Sequence, residues 1–126
     1  MTVVLDASAV LALLWDEPGA EAVEAVAGEA FIGAVNLAEV AAKLVDRGFG
    51  RDAIDQVIGQ LSAGILSVGA DEALDSGLLR DATRAAGLSL GDRLCIALAR
   101  ARQARVLTAD RAWTGLEVGV EIEVIR

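Results

Sequence analysis

Short apolar runs rich in β-branched residues alternate along this chain with longer stretches of helical period, and no other feature restricts its fold as much. Strands separated by helical crossovers pair in parallel, because a tight hairpin joins only antiparallel neighbours. Five runs read as strands, at residues 2–6, 30–33, 65–69, 105–109 and 121–125. Leu37, Val40, Ala41, Leu44 and Val45 follow a helical repeat that stops at Gly48, and Ile54, Val57, Ile58 and Leu61 follow one that stops at Gly64. Both segments therefore predict amphipathic helices. Residues 90–103 are apolar almost all round up to Arg100, as expected of a helix packed centrally on a sheet, and 71–86 predict a further helix weakened by Gly77. Glu121 and Glu123 alternate with Val120, Ile122 and Val124, the pattern of a half-exposed edge strand.

The 126 residues contain 13 Gly, 1 Pro and no repeat or linker, which fits one α/β domain over residues 1–126. At this size the core needs no covalent staple, and the single Cys95 excludes an internal disulfide framework. With no histidine, zinc sites and Ser–His or Cys–His catalysis are excluded unless another chain contributes. The longest run free of Gly and polar residues is the seven from Ala9 to Trp15, against the ~18 of a membrane span. No basic residue precedes Lys43 and Asp6 interrupts the first apolar run, against a secretory signal; the expectation is a cytoplasmic protein with no membrane association.

The net charge of −8 argues against a polyanionic partner, since nucleic-acid affinity rests on neutralising phosphates. The distribution of charge weakens that objection. Between Arg80 and Arg111 seven arginines face only Asp81, Asp92 and Asp110, so this segment carries +4 and the remainder −12.

Four acidic residues fall at element boundaries. Asp6 ends the first strand run, Glu39 lies in the first turn of its helix, Asp92 opens a helix after Ser89, and Asp110 follows the fourth run. Each has a bland explanation, because Asp6 and Asp110 suit helix caps and Ser89 with Asp92 fits a capping box. Considered together they say more, since the carboxyl ends of parallel strands and the amino ends of the following helices share one rim, where ligands bind. Carboxylates gathered there repel unless a cation sits among them, and an all-oxygen donor set suits Mg²⁺ or Mn²⁺. Asn36 shares a helix face with Glu39, and Ser8 and Thr108 offer hydroxyls at the same rim or serve as ordinary turn and strand residues.

The segments VLDASA, NLAEV, LSLGDRLCIALA and LTADRAW, in this order and spacing, resemble the PIN-domain ribonucleases, and among them the VapC toxins of bacterial toxin–antitoxin modules. The resemblance runs from residue 3 to about residue 125. It implies a three-layer α/β/α fold with a central parallel five-stranded sheet. It also implies that Asp6, Glu39, Asp92 and Asp110 form the family's acidic quartet, which binds Mg²⁺ or Mn²⁺ and activates water to cleave RNA. Ser8, Asn36 and Thr108 match positions where the family often carries small polar residues. The implied partners are a VapB-like antitoxin and a second copy of the chain in a homodimer.

Rival readings fare less well. A receiver-like signalling domain needs paired acidic residues after the first strand and an acceptor Asp after the third, where this chain has a lone Asp6 and Ser67-Val68-Gly69. A haloacid-dehalogenase-type phosphatase needs an Asp where Ser8 stands, and neither glycine-rich phosphate-binding motif occurs. A non-catalytic PIN-fold module that binds RNA or protein stays open. Arg93, Arg100 and Arg102 are candidates for an RNA path, with solvated helix charges as the plain alternative. Trp15 and Trp113 are candidates for base stacking or an interface, with partial burial as theirs.

Overall fold

The computed structural model describes residues 2–126. Five parallel strands, β1 (Val3–Leu5), β2 (Ala30–Gly33), β3 (Gly64–Leu66), β4 (Arg105–Thr108) and β5 (Ile122–Val124), form one sheet in the order β3-β2-β1-β4-β5. Helices α1 (Ala7–Leu14) and α2 (Ala20–Val26) connect β1 to β2, and α3 (Ala34–Asp46) and α4 (Arg51–Gln60) connect β2 to β3. Helices α5 (Ala70–Leu78), α6 (Arg80–Thr83) and α7 (Leu90–Ala101) connect β3 to β4, and a short 3-10 turn (Arg111–Trp113) lies between β4 and β5.

Alternation along the strands sorts the core into two layers. Val4 and Val106 face α7, where Cys95, Ile96, Leu98 and the buried Trp113 fill one cluster. Val3, Leu5 and Leu107 face the other way, onto Val10 of α1, Val23 of α2 and Val40 and Leu44 of α3. The chain is thus the expected three-layer α/β/α sandwich. After β1 the chain builds outward first through β2 and β3 and then, on the other side, through β4 and β5. The strand order therefore reverses between β1 and β4, and the crevice at their carboxyl ends is where open α/β sheets bind ligands.

Some boundaries differ from the sequence reading. The run 2–6 shortens to three paired residues because Asp6 already occupies the N-cap of α1. The helix expected over 71–86 divides at Leu79 rather than at Gly77, and Leu79 is buried in the α7 cluster. Among the described residues no helix is long and apolar enough to cross a membrane.

Candidate active site

Asp6 stands at the strand-order reversal, held there by its backbone N–H, which donates to Leu107 O at 3.0 Å. Although it occupies the N-cap of α1, its side chain makes no capping bond. Its Oδ2 instead accepts from Ser8 Oγ at 2.6 Å and Thr108 Oγ1 at 3.0 Å. Both hydroxyls are themselves fixed, Ser8 Oγ by the Ala109 N–H at 2.9 Å and Thr108 Oγ1 by the Asp110 N–H at 3.1 Å. The end of β4 and the start of α1 are thereby tied together around one carboxylate.

Glu39 reaches the same place from α3. Asn36, fully buried one turn earlier, donates from Nδ2 to Glu39 Oε1 at 3.0 Å and to Gly91 O at 3.1 Å, so one amide joins α3 to the start of α7. The approach is close: a Cβ on Gly91 would lie 2.6 Å from Glu39 Oε1. Asp92 completes a capping box, with the Ser89 N–H donating to Asp92 Oδ2 at 2.9 Å and the Asp92 N–H to Ser89 Oγ at 3.2 Å. Asp110 caps the 3-10 turn, its Oδ1 accepting from the Ala112 N–H at 2.9 Å.

A cleft of about 200 Å³ is lined by Asp6, Ser8, Leu11, Glu39, Lys43, Asp92 and Asp110, so the four carboxylates from four elements share one space. Each is anchored through one oxygen, and among the described residues no hydrogen bond reaches the other: Asp6 Oδ1, Glu39 Oε2, Asp92 Oδ1 and Asp110 Oδ2. Burial raises Asp6 above the ordinary carboxylate range and the charge of Asp92 adds to this, against the lowering effect of the Ser8 and Thr108 bonds and of the Ala7 backbone N–H. Burial also raises Glu39, reinforced by the charges of Asp6 and Asp92 and opposed by the Asn36 bond. Behind them the Cys95 thiol is pushed well up, first by burial and then by the same three carboxylates, which makes it inert as a nucleophile.

These residues fit a hard divalent cation. All donors are oxygens, each has one lone-pair face free, and their mutual repulsion is what a cation would relieve. Among the described residues, however, no group of three or more His, Cys, Asp or Glu side chains stands close enough together to hold an ion without rearrangement.

Elsewhere the structure corrects the sequence reading. Arg93 is buried and donates from Nε to Ser76 O at 3.0 Å and from Nη1 to Leu88 O at 3.3 Å, so its guanidinium clamps α5 and the loop before α7 instead of facing an RNA. Arg100 pairs with Asp75 at 3.3 Å and bonds Val118 O. It and Arg102 stand at the far end of α7 from Asp92, roughly 12 Å or more along the axis, away from the cleft. Trp113 is sealed in the core, with no surface for stacking. Two contributors escaped the sequence reading. Lys43 enters the cleft one turn after Glu39, a signal already present in the i, i+4 spacing, and Gly91 matters only because two helices meet there.

A family model for the PIN domain matches residues 3–117. Solved structures of the same fold include a toxin–antitoxin complex from Klebsiella pneumoniae, 18% identical with a TM-score of 0.79 over 98% of each chain. VapBC2 from Rickettsia felis, bound to a DNA fragment from its promoter, is 19% identical with a TM-score of 0.73 over 98% of each chain. VapBC-5 from Mycobacterium tuberculosis is 24% identical with a TM-score of 0.60, covering 99% of this chain and 98% of that one. No match was found among curated proteins. Because the family model extends from the first strand to beyond the fourth and all five strands take the shared arrangement, the chain belongs to the PIN domain family.

Proposed function

We propose that this protein is a metal-dependent endoribonuclease, acting as the toxin of a type II toxin–antitoxin pair from a single domain over residues 1–126. The observation that carries the reading is the convergence of Asp6, Glu39, Asp92 and Asp110 on one cleft, each with one oxygen anchored and one free. Mg²⁺ or Mn²⁺ bound there would acidify a water and neutralise phosphate charge, the chemistry that phosphodiester hydrolysis needs. The four carboxylates are the residues to hold it. Ser8 and Thr108 fix Asp6, and Asn36 fixes Glu39, each through one oxygen at the lining of the cleft. Ser8 both donates to Asp6 and accepts from Ala109 N–H, which engages its hydroxyl in the loop and leaves water as the nucleophile.

The proposed partners follow from the same charge. A VapB-like antitoxin would silence the cleft by placing an Arg or Lys among the carboxylates, where charge-assisted bonds form in a partly dehydrated space. VapBC assemblies of the same fold support such a partner, and a homodimer acting in the cytoplasm is the proposed setting.

The test is to incubate purified, partner-free protein with total RNA, with and without Mg²⁺ or Mn²⁺, and to map the ends. Cleavage that requires the ion and disappears in Asp6→Asn supports the reading. Asn keeps the size and a hydrogen-bonding oxygen while removing the charge. Stoichiometric RNA binding without ion-dependent cleavage would identify a non-catalytic PIN module instead.

A further inference from the structure

The carboxylate cleft continues into a seam that carries two cations, Lys43 and Arg47, beside the exposed Asp46 and Asp16. On α3, Glu39 and Lys43 line the cleft together, one turn apart. Arg47, one turn further at the C-cap, holds its guanidinium 3.8 Å from the ring centroid of Trp15. On α1, Leu11 lines the cleft and Trp15, four residues on, is the C-cap. The α1–α3 seam therefore runs from the carboxylates at one end to the Trp15–Arg47 pair at the other. Four helical residues advance about 6 Å, so the two cations are spaced along the seam and do not form one point of charge.

Lys43 and Arg47 are the only basic residues among the first 50 of a chain with net charge −8, and both lie on this seam. Both are exposed, and neither forms an ion pair among the described residues. The plain role for Lys43 would be a helix-surface pair with Glu39, whose spacing and polarity favour it, yet no such pair forms. Trp15 is half-buried, with Arg47 over its ring. Cations spaced along a surface beside a half-exposed aromatic ring are the elements that hold single-stranded nucleic acid, the cations on phosphates and the ring on a base, and here the Arg47 guanidinium would leave the Trp15 face to a phosphate as the base takes its place.

We infer that the α1–α3 seam carries the single-stranded RNA substrate away from the cleft, with Lys43 and Arg47 binding its phosphates and Trp15 stacking on a base. The inference rests on the ribonuclease reading above and assigns to it the residues that hold the strand. It also moves the RNA path from the far end of α7 to the seam at the cleft.

The test measures cleavage of a short single-stranded RNA of mixed sequence in Mg²⁺ across a salt series, for the wild type, Lys43→Met, Arg47→Met, the double variant and Lys43→Arg. Each lost phosphate contact should flatten the slope of log kcat/KM against log salt by about 0.7, and the double variant by about 1.4. The loss should fall on KM more than kcat, Lys43→Arg should recover the slope, and Trp15 emission should be quenched by RNA over the constant background of buried Trp113. Wild-type slopes in the double variant would overturn the inference. So would variants that cleave normally but escape inhibition by a protein partner, which would give the seam to that partner. If the wild type itself neither binds nor cleaves RNA, the ribonuclease reading fails first and the seam assignment with it.

Discussion

Replacing Gly91 with alanine tests how accurately the Glu39 carboxylate has to be held. The added Cβ would lie 2.6 Å from Glu39 Oε1 and 2.8 Å from Cδ and Oε2, against 3.4 Å or more for ordinary contact. The carboxylate must therefore retreat by about 0.8 Å, and displacement of that order at a reacting centre costs roughly 10²-fold in rate. Stability should barely register the change. Alanine in a helix is worth about 0.5–1 kcal/mol over glycine, and weakening the Asn36–Glu39 hydrogen bond at 3.0 Å returns about 0.5–1.5 kcal/mol. The two nearly cancel, leaving melting within a few degrees of wild type. The assay pairs kcat/KM on RNA in Mg²⁺ with thermal melts in chelator. A double-mutant cycle with Glu39→Asp sharpens it: the shorter side chain leaves room for the methyl group, so alanine should cost much less in that background. Wild-type kcat/KM in Gly91→Ala would refute the argument that the α3–α7 contact positions Glu39.

Asp6 and Glu39 are both held above their ordinary values, so the stability they contribute is fully present below the unfolded carboxyl value of about 4 and is lost as pH rises through the raised folded values. Metal-free protein should accordingly gain stability from these two groups as pH falls from neutral toward the carboxylate range, less so in Asp6→Asn; identical pH profiles for the two proteins would contradict this. Asp92→Ala removes the acceptor for the Ser89 N–H, at about 0.5–2 kcal/mol, while relieving repulsion on Asp6 and Glu39. Asp92→Asn keeps the acceptor, so in chelator it should melt at or above wild type and above the alanine variant, with cleavage lost in both; normal cleavage by Asp92→Asn would leave the residue only its cap. Arg93→Met strands the carbonyls of Ser76 and Leu88 and should cost ~1.5–3 kcal/mol or more in a urea melt without changing the salt dependence of cleavage. An altered salt slope would return Arg93 to the RNA path.

What the sequence made legible, and what it hid, follows the range of the interactions involved. Short-range patterns were sufficient for the strands and for α3, α4 and α7, because strand alternation and helical period are written in neighbouring residues. Asp6, Asp92 and Asp110 could be brought together on paper because a parallel sheet sends every strand end and helix start to one rim, whereas Glu39, expected in the first turn of its helix, lies in the second turn of α3 and reaches the cleft through its longer side chain. Arg93 was misread because its partner Ser76 lies 17 residues away on another helix, and nothing local distinguishes a buried arginine from a solvated one. Trp113 was left open for the same reason, since the core that seals it is assembled from α7, β4 and the loop near Val118. Gly91 carries no local signal in the first turn of α7, and only the arrival of Glu39 from α3 gives its missing side chain a purpose.

Capping and site chemistry, opposed as alternatives in the sequence, are compatible in this fold. A carboxylate has two oxygens, and a cap uses one. Asp92 gives Oδ2 to the Ser89 N–H and Asp110 gives Oδ1 to the Ala112 N–H, while the second oxygen of each stays free beside the cleft. Helix N-terminal amides thus do for these two residues what the hydroxyls of Ser8 and Thr108 do for Asp6 and the amide of Asn36 does for Glu39. The anchoring bonds fix orientation without neutralising charge, so burial and mutual repulsion together still raise Asp6 and Glu39, and the repulsion is what a cation would relieve. The local stability of the caps therefore offsets part of the cost of gathering four acidic side chains. That is why removing charge and removing the cap are expected to move stability in opposite directions at Asp92.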